Sequence, residues 1–179
     1  MKSSSIKKEM KSLYACCMFL FFIVLGANAQ QDKSKRASPP DSLSVTTTNG
    51  VTITINYSRP YVKGRIVGQD IAPIGKVWRT GANEATTFSV NKDVTIEGKA
   101  LKAGKYSLHS IPGDTQTTLI FNKVWKKWGL DYDEKEDALR VDAPTIEDSH
   151  SVEQFTITAD KDGLVQLLWG TYKIPFHVK

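Results

Sequence analysis

From Leu43 onward, apolar and polar residues alternate with a period of two. In Val51-Thr-Ile-Thr-Ile-Asn-Tyr57 the side chains of Val51, Ile53, Ile55 and Tyr57 fall on one face, and those of Thr52, Thr54 and Asn56 on the other. That is the pattern of a strand with one buried face. Asn49-Gly50, immediately before it, is a tight-turn pair and predicts a hairpin with residues 43–48. Comparable strands are predicted over 85–90, 93–96, 105–111, 117–122, 138–142, 152–158, 164–169 and 172–178. Turn chemistry separates them at Glu97-Gly98-Lys99, Lys102-Ala-Gly104, Pro112-Gly113-Asp114, Asp162-Gly163 and Gly170. Short strands at this spacing predict an all-β fold, an antiparallel β-sandwich or a jelly-roll-like variant of one. A dinucleotide-binding glycine pattern, a phosphate loop and helix–strand alternation are all missing, so a nucleotide-binding α/β fold is excluded and no cofactor is expected.

Two stretches break the alternation. Residues 59–80 scatter Pro60, Gly64, Gly68, Pro73 and Gly75 among Tyr61, Val62, Ile66, Val67, Ile71 and Ile74, which predicts a long loop packed on the body. Residues 123–137 hold Trp125 and Trp128 and then an acidic run from Asp131 to Asp137, and are compatible with a helical turn or a hairpin.

The amino terminus has a different grammar. Lys2, Lys7, Lys8 and Lys11 precede an uncharged apolar run from Leu13 to Leu25, followed by Gly26-Ala27-Asn28-Ala29. This is the order of a secretory signal peptide, with cleavage expected after Ala29 and export to the periplasm or the medium. The run is shorter than the roughly 20 residues a membrane-spanning helix needs, so no transmembrane segment is expected in the mature chain. Cys16 and Cys17 lie before most of the apolar run rather than after it, which argues against lipoprotein acylation. Residues 30–41, with Lys33, Lys35, Arg36 and Pro39-Pro40, are expected to form a disordered leader, and 42–179 a single domain.

This division changes the charge balance. The 179-residue chain carries 24 Lys plus Arg against 19 Asp plus Glu, a net +5, which by itself suggests an anionic partner. Residues 1–29 hold four of the basic groups and one of the acidic ones, leaving +2 for the rest and no basic stripe with interleaved aromatics. Nucleic acid is therefore not an expected partner. The remainder contains no cysteine, so disulfides, thiolate catalysis and Cys-ligated metals drop out.

The densest chemistry lies in Trp78-Arg-Thr-Gly-Ala-Asn-Glu84. An indole face, a guanidinium, an amide and a carboxylate in that small space are the groups that bind polar small molecules and sugars. Strand parity puts Glu84 on the face of Thr86, Phe88 and Val90, and Arg59 on the face of Ile53, Ile55 and Tyr57, so these charges are expected at the rim of the core. The competing expectation is that Arg79 or Arg59 simply pairs with Glu84 while Trp78 plugs the core. Trp125, Trp128 and Tyr132 offer a further stacking platform. His109, His150 and His177 match no metal-binding spacing, and parity places His109 and His177 opposite their apolar neighbours, so surface positions and no metal site are expected. The acidic run fails the EF-hand pattern at Lys135 and Glu136.

The string Val77-Trp-Arg-Thr-Gly-Ala-Asn-Glu-Ala-Thr86 resembles a family known as domain of unknown function 2911. The resemblance continues at Tyr57-Ser-Arg-Pro60, Gly104-Lys-Tyr-Ser-Leu108, Ile111-Pro-Gly113, Ile120-Phe-Asn-Lys123 and Leu139-Arg-Val141. It implies an exported protein of Bacteroidetes-type bacteria and brings no activity, substrate or cofactor with it. The expected function is a non-catalytic module that binds a polar small molecule or a glycan at one end of the sandwich. Trp78, Arg79, Asn83 and Glu84 would form the site, with Tyr57 and Arg59 as neighbours. The alternatives are a hydrolase using Glu84 as general acid or base with a second carboxylate such as Asp70 or Asp114, and a purely structural envelope-interaction domain.

Overall fold

The computed structural model describes residues 32–179; the expected signal peptide lies outside the described residues. Asp32–Lys35 belong to a separate compact unit and form a single 3₁₀ turn, with the Asp32 carboxylate accepting from the Ser34 amide and hydroxyl. The second unit, Arg36–Lys179, is all-β and antiparallel. Its strands are β1 (Pro40–Thr46), β2 (Thr52–Ser58), β3 (Thr87–Val90), β4 (Val94–Ile96), β5 (Lys99–Leu101), β6 (Gly104–Ile111), β7 (Gln116–Asn122), β8 (Asp137–Pro144), β9 (Ile146–Ala159) and β10 (Leu164–His177). Six of them form one sheet in the order β1-β2-β3-β6-β7-β8, β9 and β10 form a long ribbon, and β4 and β5 a small hairpin.

The period-two pattern explains the sheet. Leu43 faces Ile55, Ile55 faces Phe88 and Phe88 faces Tyr106, while Leu108 faces Phe121 and Phe121 faces Leu139. These rows enter one buried core together with Phe155 and Ile157 of β9 and Val165, Leu167, Trp169, Ile174 and Phe176 of β10. Phe88, Phe121 and Phe176 meet ring to ring at its centre. Both expected tight turns form, Asn49-Gly50 between β1 and β2 and Asp162-Gly163 between β9 and β10.

The structure departs from the sequence expectations at several points. The expected leader is ordered from Arg36 on: β1 starts at Pro40, the Pro39 carbonyl accepts the Arg59 amide at 2.9 Å, and the Ser38 carbonyl accepts Asn83 Nδ2 at 3.0 Å. A proline lacks an N–H and so is tolerated at the start of an edge strand, which is where Pro40 sits. Strand β5 takes in Lys99, the last residue of one expected turn, and the two residues before the next, where no strand is expected from the sequence. Residues 164–177 form one strand rather than two, because Gly170 (φ +57°) sits at an irregularity between register shifts and does not end the strand. Among the described residues, no helix is long and apolar enough to cross a membrane.

Candidate functional site

The six residues singled out by sequence fall into three groups. Tyr57 and Arg59 fasten strands together. The Tyr57 hydroxyl donates to Asp41 Oδ2 at 3.2 Å and accepts the Ile157 amide at 3.1 Å. Burial pushes the Tyr57 pKa up from its ordinary value. Arg59 Nε donates to the Phe155 carbonyl at 3.1 Å, Nη2 to Thr156 Oγ1 at 2.8 Å, and Nη1 lies 3.4 Å from Asp41 Oδ2. The pair thus ties β2 to both β1 and β9.

Trp78 stands alone in the second group. Its ring stacks on Trp169 with centroids 5.1 Å apart and planes at 13°, and Phe155 meets it edge-on at 5.1 Å. Its backbone exchanges hydrogen bonds of 2.7 and 2.9 Å with Ser110, which adds a short bridge to the edge of β6. The indole therefore plugs the core margin, as the competing sequence reading held.

Arg79, Asn83 and Glu84 form the third group, alongside residues 127–129. The Gly129 amide donates to the Asn83 carbonyl at 3.1 Å, the Ala85 amide to the Lys127 carbonyl at 3.2 Å, and Glu84 bridges Trp128. Gly129 is required by close approach, since a Cβ there would lie 2.6 Å from Arg79 Cδ and 2.9 Å from the Asn83 carbonyl oxygen. The expected pairing of Glu84 with Arg79 or Arg59 is replaced by one with Arg36, whose Nη1 lies 2.8 and 3.1 Å from the two carboxylate oxygens. Parity misplaced Glu84 because β3 begins only at Thr87 and Asn83 takes a left-handed conformation (φ +60°), so no strand runs through residue 84. Arg79 itself is half-buried and makes no hydrogen bond or ion pair among the described residues; burial lowers its pKa.

The stretch 123–136 covers the outer face of β6 and β7. Asn122 is its anchor: Nδ2 donates to the Asp133 carbonyl and to Asp137, while Oδ1 accepts from the Val124 amide and from Lys127 Nζ. Ser107 Oγ donates to the Val124 carbonyl at 3.0 Å. Tyr132 is not part of a free platform, because its hydroxyl binds Asp137 at 2.8 Å and Arg140 at 2.7 Å. His109 corrects the surface expectation: it faces outward from the sheet but is 1% exposed, with its ring 5.0 Å from that of Tyr132. Neither ring nitrogen has a hydrogen-bond partner, and burial, with Lys127 nearby, lowers its pKa to about 4. The parity was correct, but the covering segment was not visible in it. His150 and His177 are exposed as expected.

A further open feature involves none of the six residues singled out by sequence. A groove of about 350 Å³ runs between the loop after β2 and the β9–β10 ribbon, lined in part by Val67, Gln69, Glu147, Ser151, Thr171 and Tyr172. Val67 and Tyr172 also wall a smaller apolar pocket of about 20 Å³ against Trp78 and Trp169. The side chains of Gln69, Glu147, Ser151, Thr171 and Tyr172 make no hydrogen bond among the described residues, so five polar groups converge on one space with their capacity unspent. Arg65, on the same wall, is spent on the Tyr61 and Val62 carbonyls at 2.6 and 3.0 Å. Gly68 (φ +89°) lets Tyr172 lie across the loop, since a Cβ there would sit 2.7 Å from the Tyr172 hydroxyl. The scattered glycines of residues 59–80 were the available signal. What was missing was the strand partner, because Gly170 reads as a turn.

Fold and geometry together define, over the described residues, an all-β antiparallel protein that carries a mixed polar–apolar groove. Within that class, residues 38–178 match the family described as "Protein of unknown function (DUF2911)", and the chain belongs to that family. No curated protein and no solved structure matches the chain.

Proposed function

We propose that the protein is an exported, non-catalytic module that holds a polar small molecule or a glycan unit in the groove beside Tyr172. In this reading the six-stranded sheet and the β9–β10 ribbon are the two layers of a β-sandwich, and the 59–80 loop is the wall that makes one face of it concave. Residues 1–29 act as a cleaved secretory signal, as expected of a basic segment followed by a short apolar run and Ala27-Asn28-Ala29. The observation that carries the binding reading is the convergence of unspent polar side chains on one groove. Sugar sites are built this way, with an aromatic or aliphatic wall for the ring and amides, hydroxyls and a carboxylate for its hydroxyls. Trp78 supports the wall from behind by fixing Trp169 and Phe155. Arg79, Asn83 and Glu84 then hold the fold around residues 127–129 and do not touch the ligand.

A thermal-shift screen of neutral and acidic mono- and oligosaccharides tests this. A ligand at a hundredfold excess over its Kd stabilises by about 2.7 kcal/mol, a rise of several degrees for a chain this size. The rise is expected in wild type and absent in a Gln69→Ala/Ser151→Ala double variant, both side chains being exposed and without packing roles. No rise with any compound of a broad library, or an equal rise in the double variant, contradicts the assignment.

A further inference from the structure

Eight large hydrophobic side chains are exposed among the described residues, and four of them lie within the seven-residue stretch 124–130. Val124 is 43% exposed, Trp125 38%, Trp128 45% and Leu130 70%. The stretch is rigidly held rather than trailing. Its ends are fastened by the Lys123 amide on the Glu136 carbonyl and the Asp131 amide on the Trp128 carbonyl, and its middle by Gly129 on Asn83. Water is thus faced by a fixed, partly apolar surface on the outside of the 123–136 cover. A rigid turn of indoles and aliphatic side chains is costly to leave in water unless something covers it.

The charges around it indicate what that is. Lys123 and Lys126 are exposed on the same stretch, and Lys105 Nζ sits 4.2 Å above the Trp125 ring. Lys127, whose Nζ reaches Asn122 Oδ1, adds a fourth ammonium. Of the acidic residues that follow, Asp137 and Glu134 pair with Arg140 and Asp133 accepts the Lys135 amide, while Asp131, Asp133, Glu136 and Asp137 act on the Lys127 ammonium, which leaves Lys123 and Lys126 as the exposed cations of the turn. Indoles with interleaved lysines on a shallow apolar turn are the composition that settles at a bilayer interface. There the rings lie at headgroup depth and the ammonium groups meet lipid phosphates.

We propose that Val124–Leu130, with Lys105, Lys123 and Lys126, is a peripheral docking surface for an anionic lipid bilayer. The exposed Trp128 and Leu130 enter the headgroup region, and Lys123 and Lys126 bind lipid phosphate. This surface is formed by the 123–136 cover and β6, whereas the groove is formed by the 59–80 loop and the β9–β10 ribbon, so the two assignments fail or stand separately.

Co-sedimentation with phosphatidylglycerol/phosphatidylethanolamine vesicles, run beside pure phosphatidylcholine vesicles, tests it on the full chain. Two variants are compared with wild type, Trp128→Ser/Leu130→Ser and Lys123→Glu/Lys126→Glu, each first shown to keep the wild-type Tm. Because all three proteins share residues 1–31, any partitioning caused by the apolar amino-terminal run is common to them and cancels in the comparison. The expected result is at least about tenfold weaker partitioning of both variants on the anionic vesicles. Binding of the charge-reversal variant should also lose its dependence on salt, and wild-type tryptophan emission should shift to the blue on vesicles but not in Trp128→Ser/Leu130→Ser. Equal partitioning of all three proteins overturns the proposal, as does vesicle-independent binding of the same turn to a soluble glycan or protein.

Discussion

Arg36 Nη1 reaches both carboxylate oxygens of Glu84, at 2.8 and 3.1 Å, across 48 positions of sequence. The contact belongs to a short series in which the chain just before β1 lies against Asn83 and Glu84, with Asn83 Nδ2 on the Ser38 carbonyl beside it. Glu84 is thereby assigned to holding the start of the domain, and an acid–base role for it would require Arg36 to leave.

Both side chains are partly solvated, so the pair is expected to contribute modestly. Arg36→Ala and Glu84→Gln should each cost about 0.5–1 kcal/mol, and the double variant hardly more than either, a coupling below about 1 kcal/mol. Urea denaturation of the four proteins measures this, and additive costs would mean that the two side chains do not act on one another.

His109 makes the fold acid-sensitive. Its pKa is about 4 in the folded chain against an ordinary value of 6.5, so the native state holds the ring neutral where the unfolded chain would protonate it. Stability from this group is therefore complete above pH 6.5, falls as the pH drops below it, and reaches its floor below about pH 4. The full loss is about 3 kcal/mol. A His109→Leu variant should show much less difference between denaturation curves at pH 7 and pH 4, and an unchanged difference would show that another group carries the acid sensitivity.

Tyr57→Phe leaves the Ile157 amide without the acceptor that the hydroxyl supplies, in a buried position. A cost of about 1–3 kcal/mol is expected, larger than for an exposed tyrosine. Amide exchange at Ile157 should rise in the same variant, which a stability measurement alone would not reveal.

Much of the sheet was legible because period-two alternation is a direct consequence of one-sided burial. Val51 to Tyr57 and Gly104 to Ile111 show it plainly, and Asn49-Gly50 and Asp162-Gly163 set two hairpins. What escaped was whatever depends on segments meeting across the fold. His109 has the parity of a surface residue and becomes buried only because Tyr132, 23 positions later, folds over it. Trp78 and Arg79 read as one cluster, yet adjacent residues on an extended segment point to opposite sides, one to Trp169 and the other to Gly129. The groove residues Gln69, Glu147 and Thr171 lie on three distant stretches with no shared motif, and no local pattern could have joined them.

Gly68→Ala tests whether the groove depends on its tight wall. The new Cβ would lie 2.7 Å from the Tyr172 hydroxyl at a residue with φ +89°, so the loop or the tyrosine must shift. We expect a loss of about 1–3 kcal/mol in stability from the strained backbone and the clash. Any ligand-induced thermal shift should also be lost, whereas Gly64→Ala, also at positive φ (+71°) but with open space around its Cβ, should be destabilised while keeping that shift.

In the proposed reading the groove, and not the Trp78–Glu84 string, receives the ligand. The most direct measurement is an amide chemical-shift titration of the isotope-labelled chain with a saccharide that raises its Tm. Progressive shifts concentrated at Val67, Gly68, Gln69, Ser151, Gly170, Thr171 and Tyr172 are expected, with Arg79, Asn83 and Glu84 unmoved. Shifts centred on Arg79 to Glu84 with a silent groove would contradict it and return the site to the string that the sequence first suggested.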